Sequence, residues 1–126
     1  MVTMTIKTFE DIIAWQKSRE LFIIINKSLI NCKNYSYKDQ LLRATLSISN
    51  NIAEGFDRGS NKELRQFLVI SRGSAAEVRS MLLMAEDLKL ISSENLQSSM
   101  ILVKDISRLL TGFIKSINGQ QKTDNG

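Results

Sequence analysis

Arg65, Arg72 and Arg79 recur at seven-residue intervals. On a helix they fall on one line about 21 Å long, at 1.5 Å per residue. Such a row could follow a phosphate backbone, because a guanidinium group pairs bidentately with phosphate oxygens. Arg58 keeps the interval but precedes a helix-start signal at Ser60, which assigns it to a turn. With Lys62 it adds positive charge at a helix entrance, where the macrodipole is also positive. The competing reading is a solvated face. Each arginine sits one position after a heptad seam residue, and Glu86 continues the same line with the opposite charge.

Other chemistries lack their residues. The chain has no histidine and one cysteine, Cys32, which removes the common zinc and haem ligand sets and the Ser-His-Asp and Cys-His nucleophiles. No Gly-x-x-x-x-Gly-Lys-Ser/Thr or Gly-x-Gly-x-x-Gly segment occurs. Di-iron helical proteins draw a Glu-x-x-His pair from each of two helices, and no histidine is present to complete one. Glu54 and Glu77 are candidates for buried carboxylates, read as structural ion-pair partners of Arg43 or of a helix-three arginine before any catalytic role. Trp15 is read as a packing residue, and Cys32 as a small apolar filler. Tyr35 and Tyr37 lie at a connector where base stacking is conceivable. The expectation is a non-enzymatic protein with no catalytic residues, metal or cofactor.

The elements that must position the arginines are helices. Thr8 and Asp11 form a shortened capping box before a helix opening near Phe9. Leu21–Ile25 is apolar on every side, which calls for cover on more than one face. A second helix is read from about Tyr37 to Phe56, capped by Ser36, with stripes Leu41, Thr45, Ile48, Ile52 and Leu42, Leu46, Ser49, Ala53, Phe56. Gly55 and Gly59 are read as bracketing the following turn. Ser60-Asn-Lys-Glu63 is a full capping box. It opens a third helix to about Leu88, whose seam of Leu64, Leu68, Ser71, Ala75, Val78, Leu82 and Ala85 alternates steps of four and three. Gly73, inside it, costs about 1 kcal/mol, which close approach of a neighbouring backbone would offset. Ser92 caps a fourth helix to about Ile117.

Short connectors between four long helices predict an all-α, antiparallel up-down-up-down four-helix bundle over residues 9–117. Residues 1–8 are read as an N-terminal extension and 118–126 as a disordered tail. The apolar surface exceeds what one copy can hide, which predicts a homo-oligomer. The absence of proline, a hydrophobic fraction of 43% and a charged fraction of 24% among 126 residues agree with one soluble helical domain. A net charge of +4 and a pI near 9.4 permit polyanion binding without requiring it. A single cysteine, no apolar leader in Met1–Asp11 and no run approaching about 20 apolar residues predict a cytoplasmic protein without membrane contact.

Several separated segments resemble one family. Phe9-Glu-Asp-Ile-Ile-Ala-Trp-Gln-Lys17, Asp39-Gln-Leu-Leu-Arg-Ala-Thr-Leu-Ser-Ile48, Asn51-Ile-Ala-Glu-Gly-Phe56, Ser60-Asn-Lys-Glu63, Phe67-Leu68 and Ser71-Arg-Gly-Ser74 resemble, in order, the blocks of the bacterial four-helix-bundle proteins encoded in intervening sequences of 23S ribosomal RNA genes. The family's usual Ser-Ile-Pro-Ser-Asn stands here as Ser47-Ile-Ser-Asn-Asn51, so a proline kink in helix two is not carried over. The resemblance implies a ring-shaped homopentamer. It also implies kinship with the accessory protein of diversity-generating retroelements, a basic pentamer associated with RNA and a reverse transcriptase. Arg43, Arg58, Arg65, Arg72 and Arg79 fall in matching blocks or at usually basic family positions, and with Lys62 they form the candidate nucleic-acid contact set. The expected function is an oligomeric RNA- or DNA-binding accessory protein. The alternative is a protein-interaction scaffold whose arginines make inter-subunit salt bridges.

Overall fold

The computed structural model describes residues 6–125, with side chains through residue 119. Residues 1–5 of the expected extension, and residue 126 of the expected tail, lie outside the described residues. The described chain is all-helical: a 3-10 turn at Phe9–Asp11, then α1 (Ile13–Ser28), α2 (Tyr35–Asp57), α3 (Asn61–Asp87) and α4 (Ser93–Asn125).

The helix starts show which capping signals win. The Asp11 carboxylate accepts from the backbone N–H groups of Lys7 (2.9 Å) and Thr8 (3.2 Å), and these bonds hold its pKa below the ordinary carboxylate value. That box opens only the 3-10 turn. Ile12 is extended (φ −78°, ψ 120°), so α1 starts at Ile13 rather than near Phe9. The start of α2 moves two residues earlier than expected. Asn34, not Ser36, is its cap, and the Asn34 side chain accepts from Tyr37 N–H at 3.3 Å. Ser60 caps α3 as expected, accepting from Glu63 N–H at 3.2 Å while its hydroxyl donates to the Glu63 carboxylate at 3.1 Å. Ser92 does the same for α4 through Asn95 N–H at 3.1 Å. Helical backbone in α4 runs on to Asn125, past the Ile117 end that the fading apolar pattern gave.

Each helix touches its two cyclic neighbours, α1 with α2 and α4, and α3 with α2 and α4. Among the described residues α1 does not touch α3, nor α2 α4. All seven α3 seam residues are buried, as is the Leu41, Thr45, Ile48, Ile52 stripe of α2. Leu21, Ile25, Leu68, Leu82 and Ile106 expose no surface, and each such side chain contributes about 1.5–3 kcal/mol through burial. On α1, Ile23 is exposed between the buried Leu21 and Ile25. Ile70 and Met84 on α3, and Leu88 at its C-cap, are exposed beside the seam.

Polar contacts fix the α2–α3 register. Residue pairs cross it in opposite chain order: Tyr37 with Met81, Ser47 with Ser74, Ile48 with Ser71, Gly55 with Phe67. The Tyr37 hydroxyl donates to the Met81 carbonyl, and burial raises its pKa above the ordinary phenol value. Ser71 Oγ donates to the Ile48 carbonyl at 2.8 Å, and the Ser47 and Ser74 hydroxyls bond at 2.8 Å. α2 passes Ser49 without interruption, its hydroxyl donating to the Leu46 carbonyl at 3.0 Å.

Gly59 keeps its expected turn role, while Gly55 takes the close approach expected of Gly73. Gly59, at φ +86°, makes the turn. Gly55 is buried within α2, and a Cβ there would stand 2.6 Å from Phe67 Cβ. Close approach therefore occurs at Gly55, whereas a Cβ at Gly73 would meet nothing within 4 Å. Gly55→Ala should destabilise the protein by about 1–2 kcal/mol, overpacking outweighing the gain in helix propensity. Gly73→Ala should stabilise it by up to about 1 kcal/mol. Urea denaturation of both variants checks the pair, and a stabilised Gly55→Ala protein would refute the close-contact account.

Candidate nucleic-acid interface

The arginine line follows from the α3 seam. Leu64, Ser71 and Val78 are buried, and Arg65, Arg72 and Arg79 follow them one residue on, about 100° around the helix. That angle points them along the flank of α3 that meets α4. Arg65 Nε donates to Asn118 Oδ1 at 2.7 Å, and Arg72 Nη1 to Thr111 Oγ1 at 3.3 Å. Arg79 lines a cleft of about 430 Å³ with Lys104, Ser107, Arg108, Thr111, Gly112 and Lys115 of α4.

Lys104, Arg108 and Lys115 are the residues that sequence reasoning missed. Their spacing of four and seven puts them near one α4 face, beside Ser107, Thr111 and Gly112, whose short side chains leave room for the cleft. That spacing was the available signal. Six cations from two helices thus border one seam. Arg65 and Arg72 are half-buried and bonded to neutral groups; Arg79, Lys104 and Lys115 are exposed and enter no ion pair among the described residues. Arg108 bonds Asp105, which also accepts from Lys17 at 3.3 Å.

The other candidate contacts lie elsewhere. Arg58 closes α2, pairs with Glu54 at 2.9 Å and Glu63 at 3.9 Å, and stacks over Phe67 with its guanidinium carbon 5.2 Å from the ring centre. Its charge is therefore partly answered within the turn. Lys62 is exposed in the first turn of α3. Arg43 is exposed on α2 beside Ser36, Asp39 and Gln40, and among the described residues α2 does not pack against α4. Neither Glu54 nor Glu77 is buried; both are exposed, and Glu54 takes Arg58 rather than Arg43. Trp15 is half-buried against the core and meets Phe9 edge-on at 5.1 Å. Among the described residues, no group of three or more His, Cys, Asp or Glu is placed to hold a metal ion, and no helix is long and apolar enough to cross a membrane.

These features define a four-helix protein with a basic seam between its last two helices. The model of the family described as 23S rRNA-intervening sequence protein matches residues 10–112, and the chain belongs to that family. Among solved structures it is similar to a protein of unknown function from the S23 ribosomal protein family of Bacteroides thetaiotaomicron VPI-5482. The identity is 29% and the TM-score 0.75, over 82% of this chain and 99% of that one. No curated protein matches the chain.

The seam's hydrogen bonds end on neutral partners at the surface, so the arginines add little to folding. Replacing Arg65, Arg72 and Arg79 together with Gln should cost no more than about 3 kcal/mol, two solvent-accessible hydrogen bonds from charged donors at about 1.5 kcal/mol each. Urea unfolding measures this, and a loss several times larger would make the row a structural element.

Proposed function

We propose that this protein is a non-enzymatic, cytoplasmic accessory protein that binds RNA or DNA through the α3–α4 seam. The observation that carries the proposal is the placement of Arg65, Arg72, Arg79, Lys104, Arg108 and Lys115 along one seam, where among the described residues Asp105 alone pairs with one of them, Arg108. A structural ion-pair network would interleave carboxylates; a phosphate-tracking surface would not. The resemblance to the basic, RNA-associated accessory protein of diversity-generating retroelements also favours a nucleic-acid partner. We further infer an antiparallel up-down-up-down bundle, supported by the opposed chain order of the α2–α3 contacts, and a homopentamer, supported by the resemblance and by the exposed Ile70, Met84 and Leu88. Those apolar residues also favour a second reading, a protein-interaction scaffold that includes a reverse transcriptase or other protein among its partners.

Fluorescence anisotropy with labelled RNA and DNA across a salt series tests the main proposal. The slope of log K against log salt should be about −0.9 per neutralised phosphate on duplex DNA and about −0.7 on single strands. The Arg65, Arg72, Arg79 to Gln variant should bind at least about tenfold more weakly with a shallower slope. Salt-independent binding, or none at low salt, would refute the proposal. Loss of assembly in that variant, with weak binding throughout, would favour the scaffold.

A further inference from the structure

A second positive feature differs from the seam in shape. The α1–α2 connector and the turn leading into α4 border a cleft of about 390 Å³ that holds Lys27, Lys33 and Lys89 with the amides Asn31 and Asn95. No carboxylate lines it, and none of the three lysines enters an ion pair among the described residues. Three lysines border one cleft whose lining carries no carboxylate, and a bound anion would offset the repulsion between them.

Lys89 adds a second cost. It occupies the left-handed position that ends α3 (φ 58°), where Leu90 N–H bonds the Ala85 carbonyl at 2.8 Å. Glycine is the residue that position favours, and a side chain there is disfavoured by about 1 kcal/mol. All three lysines are exposed, so core packing asks for none of them.

The two features suit different ligands. The seam is a line matched to the singly charged diesters of a chain. The cleft is a point, and lysine ammonium groups act as compact point charges rather than planar forks. Three of them around one cleft favour a small, multiply charged group. A phosphomonoester carries about −1.5 to −2 charges at pH 7 with three acceptor oxygens, to which the Asn31 and Asn95 amides can also donate. We propose that this cleft binds a phosphomonoester group, carried by a free nucleotide or by the end of a polynucleotide.

Calorimetric titration of the full chain with a nucleoside 5′-monophosphate at low salt tests the site. Saturable binding is expected, weakened at least about tenfold when Lys27, Lys33 and Lys89 all become Gln, the equivalent of one lost charged hydrogen bond. It should be unchanged in the Arg65, Arg72, Arg79 to Gln variant, so failure of the seam does not remove the prediction. Lys89→Gly relieves the left-handed strain; it should melt at a higher temperature and still bind more weakly. In the arginine-free background, preference for a 5′-phosphorylated oligonucleotide over its 5′-hydroxyl twin would assign the site to a polynucleotide end. Equal binding of the twins with monophosphate binding retained would assign it to a free nucleotide. No monophosphate binding, or binding indifferent to the lysines, would overturn the proposal.

Discussion

The close passage of α2 over α3 is the constraint on which the rest depends. Gly55 removes the one Cβ that would collide with Phe67, and the Ser71–Ile48 and Ser47–Ser74 hydrogen bonds tie the same two helices further along. Together they fix the rotation of α3 about its axis. With Leu64, Ser71 and Val78 turned into the core, the next residue in each heptad has only the flank beside α4 to occupy. A rotation of α3 by one residue would send the arginines into the core or out to solvent. The basic seam is therefore a consequence of interior packing, which gives a surface feature the positional precision of the core.

That origin accounts for the seam's electrostatic character. Arg65 and Arg72 are steadied by Asn118 and Thr111, neutral partners that orient the guanidinium groups without cancelling their charge. Arg58 shows the contrasting case, since two carboxylates and the Phe67 ring hold it in the turn. Arginines at one seven-residue sequence spacing thus serve separate purposes. The distinction rests on whether a carboxylate stands nearby. Lys27, Lys33 and Lys89 resemble Arg65 and Arg72 in entering no ion pair among the described residues, and differ from them in bordering one cleft.

Sequence alone carried the helices well, because caps and heptad seams are local signals. Ser60 and Ser92 start α3 and α4 where their spacing predicted, and every α3 seam residue is buried. It carried tertiary roles poorly. Gly55 and Gly73 look alike as isolated helical glycines, and only the position of Phe67 separates them. Ser36 carries a cap signal, yet the Asn34 side chain takes the Tyr37 N–H and starts α2 two residues earlier than expected. For the site, the seven-residue step of the arginines was visible, whereas Lys104, Arg108 and Lys115 gain meaning only once α4 is known to lie beside that step. Arg43 shares the charge but not the neighbourhood, because α2 and α4 do not pack together among the described residues.

The most direct test of a binding seam between α3 and α4 is ultraviolet crosslinking of the full chain to RNA, with the attachment sites mapped by mass spectrometry. The account predicts crosslinked peptides from both helices, around Arg72–Arg79 on α3 and Lys104–Lys115 on α4, with little attachment near Arg43. Crosslinks concentrated on α1 and α2, with the α3–α4 peptides unmodified, would contradict it.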